Sequence, residues 1–481
     1  MFAIPWLKAG IFFISIISVL YLVYFALYLP YALRPARKWA KQAPRCRFAV
    51  LVAARNEQAV IGNLVETLMA QDYPKELYDV IVVPNNCTDD TAGEAHRAGA
   101  LIMECTEPVR TKGDALRQII DKLMQQDRYD AICVFDADNL VDPGFLAGMN
   151  DAWCAGVPAG QGYRDSKNPQ DSMISACYSI YFWMVNRLFS QTRAHVGLSA
   201  VVNGSGFMVS MDWLRRHDGW HTVTLTEDIE FTTQCILGGE RVAWVPEAKT
   251  YDEQPLTFAQ SWRQRCRWSV GLIQCLRVYG PRLIRDRHCA NGQLHARLDQ
   301  ILFLFAPLFQ LMYLISLAMT GILGALQIHY AVAPYSDVLY EPLMSLAMSF
   351  VGTVVLAMAV IVLERKPLLN MGKGVLGYWL FVMSWIPINI VALCNPNLEW
   401  KAIPHTRSLR MDQMKDTGAM KGVKMEKSRE NGILPPAGDK RVRVCDPARS
   451  SRAGWPPSAD GGTPLLIFPI SREGKSTKIK K

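Results

Sequence analysis

The chain has 481 residues, half of them hydrophobic and one-fifth charged, with a formal net charge of +9 and 12 cysteines. The cysteines are scattered, with no C-x-x-C pair and no histidine spacing that suggests zinc, so they fit a reducing compartment better than a disulfide framework and imply neither a structural metal site nor a redox motif. After His405 the chain holds 17 Lys and Arg against 8 Asp and Glu while the preceding residues hold 35 of each, so the whole basic excess lies in the tail.

In chain order, the first element is Gly10 to Leu33, 24 residues without a charge. At about 1.5 Å per residue it is long enough to cross a hydrocarbon core of roughly 30 Å. Its apolar run exceeds the usual ~7–15 residues of a cleaved leader, so a retained signal anchor is expected over 1–33. Arg34, Arg37, Lys38 and Lys41 follow directly, and an excess of positive charge places that flank in the cytoplasm.

From Phe48 short apolar runs alternate with longer amphipathic ones, the pattern of strands and crossover helices in a doubly wound parallel sheet. Strands are expected at 48–55, 78–84, 100–105 and 129–135, and helices at 58–71, 91–99 and 112–126. In such sheets ligands bind beyond the carboxyl ends of the strands. Those ends carry Arg55-Asn56-Glu57, Asn85-Asn86 and Asp136-Ala137-Asp138. No G-x-G-x-x-G and no P-loop follows the first strand, which argues against dinucleotide binding and ordinary NTPase chemistry.

Alternate side chains of an extended segment point the same way, so Asp136 and Asp138 can address one ligand. Two close carboxylates repel unless a cation sits nearby, and Mg2+ or Mn2+, completing its shell with water and phosphate oxygens, suits a nucleotide diphosphate. Residues 173–197 read as an interfacial helix, apolar on one side and basic at its end, with a buried cytoplasmic helix as the alternative. Thr226-Glu227-Asp228 opens a further helix, with Thr226 expected as its N-cap and the acids favoured by the helix dipole. Asp228 could also serve as a general base.

Residues 256–280, containing QRCRW, read as a helix on which Gln264, Arg267 and Trp268 share a face at i, i+3 and i+4. Trp262, Leu272 and Leu276 are expected to give that helix a membrane-facing surface. An interfacial amphipathic helix and nothing more is the alternative for this stretch. Three further charge-free stretches follow, Ile301 to Ile328, Leu343 to Leu363 and Gly374 to Cys394, with Pro307 a candidate kink. The basic segment before the second span and the 364–366 loop are expected inside, the loop 329–342 outside. One early span and three late ones put the tail outside, against its basic character. Its Pro, Gly, Ser and Lys content reads as disordered, with attraction to anionic lipid open to it.

The motifs AARNE (53–57), NNCTDDT (85–91), KGDAL (112–116), FDAD (135–138), NGSGF (203–207), TED (226–228), YDEQP (251–255) and QRCRW (264–268) occur in the order seen in membrane-bound family-2 glycosyltransferases. The chain resembles that family, which includes cellulose, hyaluronan and poly-N-acetylglucosamine synthases. The resemblance implies an α/β GT-A catalytic domain, Rossmann-like and nucleotide-sugar-binding, inserted between transmembrane helices. It divides the chain into an anchor (1–33), a cytoplasmic catalytic domain (44–255), an interfacial region (256–297), about three C-terminal spans (298–394) and a tail (395–481). It implies that Glu57, Asn85, Asp89, Lys112 and Asp136 hold the nucleotide sugar, and that Asp136 and Asp138 bind Mg2+ or Mn2+. Asp228 with Glu227 and Arg267 would be catalytic, and Gly204, Ser205, Gln264 and Trp268 would bind the acceptor. Asn85 departs from the family's usual aspartate, which bears on base identity and affinity.

The expected reaction is inverting transfer from a nucleotide sugar, UDP-GlcNAc or UDP-Glc, to a growing β-linked glycan, processively, with single addition to a lipid acceptor as the alternative. A non-catalytic membrane scaffold is the rival of a different class. The expected setting is a multi-pass protein of the bacterial cytoplasmic membrane, in contact with the lipid bilayer and open to accessory export subunits. No nucleic-acid partner is expected.

Overall fold

The computed structural model describes residues 3–285, 293–330, 334–395 and Met411. The tail from 396, Met411 apart, lies outside the described residues, and with it the expectation of disorder there. Eight strands form one sheet: β1 (Phe48–Ala54), β2 (Tyr78–Pro84), β3 (Leu101–Ile102), β4 (Ala131–Asp136), β5 (Leu140–Val141), β6 (Ala159–Ser166), β7 (Phe207–Ser210) and β8 (Val242–Asp252). Their order is β3-β2-β1-β4-β7-β6-β8-β5. β1 pairs in parallel with β2 (Phe48 opposite Tyr78) and with β4 (Phe48 opposite Ala131), as a strand–crossover alternation requires.

β1 shows why the sheet is buried on both faces. Phe48, Val50 and Val52 enter a core with Leu64, Val65 and Leu68 of the Ile61–Met69 helix. Ala49 and Leu51 enter the opposite core with Leu116, Ile119, Ile120 and Leu123 of the Lys112–Met124 helix. A continuous apolar run is what a strand covered on both sides needs. The third strand is shorter than the expected 100–105. It is an edge strand, and Leu101 is 48% exposed, so little packing rewards its extension.

β7 enters antiparallel between β4 and β6, so β6 again runs in the direction of β1 and β4, and β8 runs parallel to β6. The carboxyl ends of β1, β2, β4, β6 and β8 therefore open on one edge. The register of β6 on β8 slips between Gly162 and Tyr163, and such a bulge re-aims the residues after it.

Residues 173–195 form a helix through Met173–Met184, a π-helical stretch Val185–Ser190 and Gln191–His195. Its side chains are buried against Ala357, Val360, Ile361, Val375, Tyr378 and Phe381 of the late apolar helices. Asn186 and Arg187, which break the apolar pattern, tie it down: Asn186 Nδ2 donates to the Arg164 carbonyl (2.7 Å) and Arg187 Nε to the Ala32 carbonyl (2.7 Å).

The Phe258–Arg285 helix runs through Gly271, Gly280 and Pro281, beyond the expected 256–280. Leu272 and Leu276 are half-buried and pack on a cluster of Ile229, Ile236, Cys275, Tyr279 and Leu283, which also takes in Tyr28 and Leu304 of the apolar segments. The stretch 301–328 is broken at Phe305, just before Pro307, into Gln293–Leu304 and Ala306–His329. The next helix, Tyr335–Leu363, starts inside the expected loop 329–342. The last apolar stretch divides at Ser384 into Gly372–Met383 and Trp385–Cys394. Four helical segments among the described residues, Ile4–Leu33, Ala306–His329, Val338–Leu363 and Leu368–Cys394, are long and apolar enough to cross a membrane.

Candidate active site

A cavity of about 1460 Å³ opens at the carboxyl edge of the sheet and continues between the apolar helices. Glu57, Asn85, Lys112, Asp136, Asp138, Gly204, Glu227, Asp228, Gln264, Arg267 and Trp268 all lie on its wall. Asp89 and Ser205 are not among the lining residues. Asp89 is exposed, and its carboxylate accepts the Gln58 N–H (3.1 Å) and the Thr91 N–H (3.2 Å), pinning the loop after β2 to the loop after β1. Ser205 is wholly buried behind the β4 end, where its Oγ accepts the Asp136 N–H (3.0 Å) and donates to Asn139. It steadies the aspartate turn from behind.

Asn85 donates from Nδ2 to the Ala54 carbonyl (3.1 Å). A carboxylate has no N–H to give that carbonyl, so the amide binds the second strand's end to the first.

Lys112 opens its helix behind a capping box of Thr111 and Asp114. Its Nζ lies 2.6 Å from Asp136 Oδ1, 2.6 Å from the Gly204 carbonyl and 3.9 Å from Glu227 Oε1. Burial works to raise the Asp136 carboxyl, but Lys112 and Arg164 beside it outweigh this and hold it below the ordinary carboxylate range. Gly204 has φ +90°, a left-handed conformation that glycine adopts without cost. A Cβ there would stand 3.4 Å from Asp228 Oδ2 and 3.8 Å from Asp136 Oδ2. One methyl-sized position thus separates the two acidic motifs.

Asp228 lies in the first turn of the Glu227–Leu237 helix. Burial and then the neighbouring Glu227 push its carboxyl up to about 7, against the Ile229 N–H and the charges of Arg267 and Lys112. The expected Thr226 cap is not made: Thr226 offers no side-chain cap bond, and its Oγ1 is buried without a hydrogen-bond partner. Glu230 holds this turn instead, accepting the N–H groups of Val223 (2.8 Å) and Thr224 (2.7 Å) and the Tyr279 hydroxyl (2.7 Å).

The QRCRW pentad divides between two tasks. Gln264, Arg267 and Trp268 reach the cavity, and the Arg267 charge acts on both Asp136 and Asp228. Trp268 sits among Tyr178, Tyr181, Phe182 and Trp385, ring centroids 5.9–6.3 Å away. Arg265 turns the other way. It is fully buried, donates to the Phe381 carbonyl and Ser384 Oγ (both 2.8 Å) and lies 4.2 Å over the Phe381 ring.

Gly271 explains how this helix comes so close, since a Cβ there would overlap the Thr226 side chain. Gly271→Ala should force the helix off the TED turn and lower kcat with a smaller change in donor affinity. Steady-state kinetics beside a donor-binding isotherm reads this, and unchanged kcat would detach helix position from turnover.

Arg164 is among the cavity residues that the sequence motifs do not include. Arg164, at the end of β6, directs Nε and Nη2 at Asp252 Oδ2 (2.9 and 2.6 Å) and Nη1 at the Asn203 carbonyl, with its guanidinium 4.1 Å over Phe182. It sends its charge toward Asp136 and Asp138. The carboxyl-end rule applied to AGQGYRDS would have found it.

Residues 44–271 match the family model described as "Glycosyltransferase like family 2". A probable glycosyltransferase, YdaM, of Bacillus subtilis is 27% identical over 52% of this chain and 63% of its own length. The beta-monoglucosyldiacylglycerol synthase of Synechocystis is 25% identical over 49% of this chain and 50% of its own. The match thus spans half to two-thirds of these relatives. Among solved structures, the mannosyltransferase PcManGT from Pyrobaculum calidifontis, in complex with GDP-Man and Mn2+, superposes with a TM-score of 0.56 at 18% identity, covering 82% of this chain and all of that one. The mixed sheet, the acidic turn at its carboxyl edge and the match over 44–271 show that this chain carries a family-2 glycosyltransferase domain with a GT-A fold.

Proposed function

We propose that the chain transfers a sugar, with inversion, from a UDP-linked donor such as UDP-GlcNAc or UDP-Glc to the hydroxyl of a growing β-linked glycan. The observation that carries this reading is the meeting of three acidic or basic motifs in one cavity: Asp136 and Asp138 at the sheet edge, Asp228 across the Gly204 position from Asp136, and Arg267 from the helix alongside. Asp228 takes the proton of the acceptor hydroxyl as the anomeric carbon is attacked from the face opposite the leaving diphosphate. Arg267 offsets the charge that gathers on that diphosphate. Trp268 gives the acceptor ring an apolar platform.

Asp136 and Asp138 would hold a divalent cation. The donor set fits one: two hard carboxylates on the cavity wall, and among the described residues no closed cage of three or more His, Cys, Asp or Glu, which would leave room for phosphate and water oxygens. When bound, Mg2+ or Mn2+ neutralises the pyrophosphate oxygens. Lys112 keeps Asp136 ionised for that task. The proposal places the catalytic domain on the cytoplasmic face, with export through the membrane helices and any accessory subunits.

A second reading, single addition to a lipid acceptor, is favoured by the cavity's far wall. Leu22, Phe25, Leu29, Phe303, Pro307, Leu356 and Val391 make it apolar where it passes between the helices, and a relative named for a glucosyldiacylglycerol lies at 25% identity. Membranes containing the protein, incubated with a panel of UDP- and GDP-sugars, separate the two by mass spectrometry of the products. Long homopolymer supports the first and one sugar per lipid the second. Donor left intact with both Mg2+ and Mn2+ would sink both and favour a scaffold.

A further inference from the structure

The segment Leu368–Cys394 has the length and apolarity of a span, but both of its ends sit on the catalytic domain. We propose that it enters the leaflet nearest that domain and returns, so that the chain crosses the membrane three times and leaves residue 395 on the catalytic side. This inference does not depend on the sugar or the acceptor.

The near end is fixed by the preceding loop. Lys366 Nζ lies 2.5 Å from Asp165 Oδ2 of β6, Tyr163 donates to Glu364 Oε2 at 2.5 Å, and Met371 is buried with Val360 and Ile361 at the domain end of the Tyr335–Leu363 helix. The far end is fixed as firmly. Asn389 Nδ2 donates to Gln310 Oε1 (2.7 Å), only five residues into the Ala306–His329 helix. Ala392 packs on Val270 and Ile273 of the Phe258–Arg285 helix, with Leu225 beside it. That helix is itself tied to the domain through Gln274 to the Leu225 N–H (3.0 Å) and Tyr279 to Glu230.

A helix that left Met371 and crossed would end about 30 Å away, level with His329. Instead it ends level with Gln310. Between the two ends Trp379 Nε1 reaches Ser349 Oγ (3.2 Å), part-way along the neighbouring helix, and the regular helix is interrupted at Ser384. Arg265 of the pentad grips that break through the Phe381 carbonyl and Ser384 Oγ. Broken helices are tolerated at membrane depth where protein covers the freed backbone groups. Leu376 (62% exposed) and Leu380 (58%) point outward from the same helix, an apolar face suited to lipid.

Charge agrees independently. With three crossings the basic segment 34–47, the 364–366 loop and the tail with its +9 excess all fall on one side, as the positive-inside tendency favours. Four crossings would put the most basic part of the chain opposite the rest.

Full-length protein with Cys394→Ser would carry one added cysteine at a time: Val223→Cys on the domain surface (Val223 is 79% exposed), Tyr335→Cys at the far end of the hairpin (Tyr335 is 68% exposed), or Lys481→Cys. Impermeant PEG-maleimide is added to sealed vesicles of either orientation, and the gained gel shift is read. Lys481→Cys should gain its label in the same vesicles as Val223→Cys, and Tyr335→Cys in the opposite ones. Labelling of Lys481→Cys together with Tyr335→Cys means four crossings and overturns the proposal, and labelling of all three together overturns it by removing the hairpin. A reporter fused after Lys481, active on one side only, gives the same discrimination without the thiol.

Discussion

Asp228→Asn should lower kcat by about 10²–10⁴, the range that general-base catalysis supplies, while the dissociation constant for the nucleotide sugar stays near its starting value. The amide keeps the shape of the side chain and cannot take a proton. In the free enzyme burial and Glu227 bring the Asp228 carboxyl from its ordinary 3.8 to about 7, so kcat/KM should fall as pH drops below about 7 and the base becomes protonated. The same shift has a stability consequence of known sign. Between pH 3.8 and about 7 the folded chain holds a proton here that the unfolded chain has lost, so this group's stabilising contribution is lost as pH rises through that window. Asp228→Asn removes the cost of ionising a buried carboxyl and should therefore hold or raise Tm at neutral pH. Turnover loss without Tm loss separates a catalytic effect from unfolding, and near-normal turnover would remove Asp228 from the base role.

Arg267→Ala should cost about 10²–10³ in kcat, the scale seen when a preorganised group facing developing charge is lost. A guanidinium at about 4 Å from the departing diphosphate offsets roughly 4 kcal/mol at an effective dielectric near 20. Arg267→Lys should recover part of this, since the charge returns without the planar fork that matches phosphate oxygens. Arg265→Ala, two residues away, provides the contrast: it removes the grip on Phe381 and Ser384, so Tm should fall whatever happens to chemistry. Single-turnover rates and thermal melts of the three variants distinguish these outcomes. An Arg267→Ala enzyme that loses donor affinity and rate to the same extent would show uniform binding instead of leaving-group stabilisation.

Local pattern carried much of this. β1, β2 and β4 and the Lys112–Met124 helix announce themselves because their apolar residues repeat with the period of the element and both sheet faces are covered. The carboxyl-end rule then brings Glu57, Asn85, Asp136 and Asp138 to one edge, and helical spacing alone puts Gln264, Arg267 and Trp268 on one face. Periodicity says which face is buried but not against what. Trp262 and Leu272 line the cavity and Leu276 packs half-buried beside Tyr279 and Leu283, where an apolar stripe beside basic residues read equally well as lipid-facing.

What only the tertiary structure decided are the pairings between residues far apart in the chain. β7 inserts antiparallel between β4 and β6, the slip at Gly162–Tyr163 aims Arg164 at the acidic turn, Ser205 backs Asp136 from 69 residues away, and Lys366 reaches Asp165 across 201. None of these leaves a local mark, because the energy of each contact depends on a partner that the neighbouring residues do not specify. The sequence determined that this chain would build a sheet with an acidic edge and lay an arginine-bearing helix beside apolar segments. Folding in three dimensions decided that the end of the last of those segments packs beside Gln310, Val270 and Ile273, since only packing sets where both ends of a helix lie.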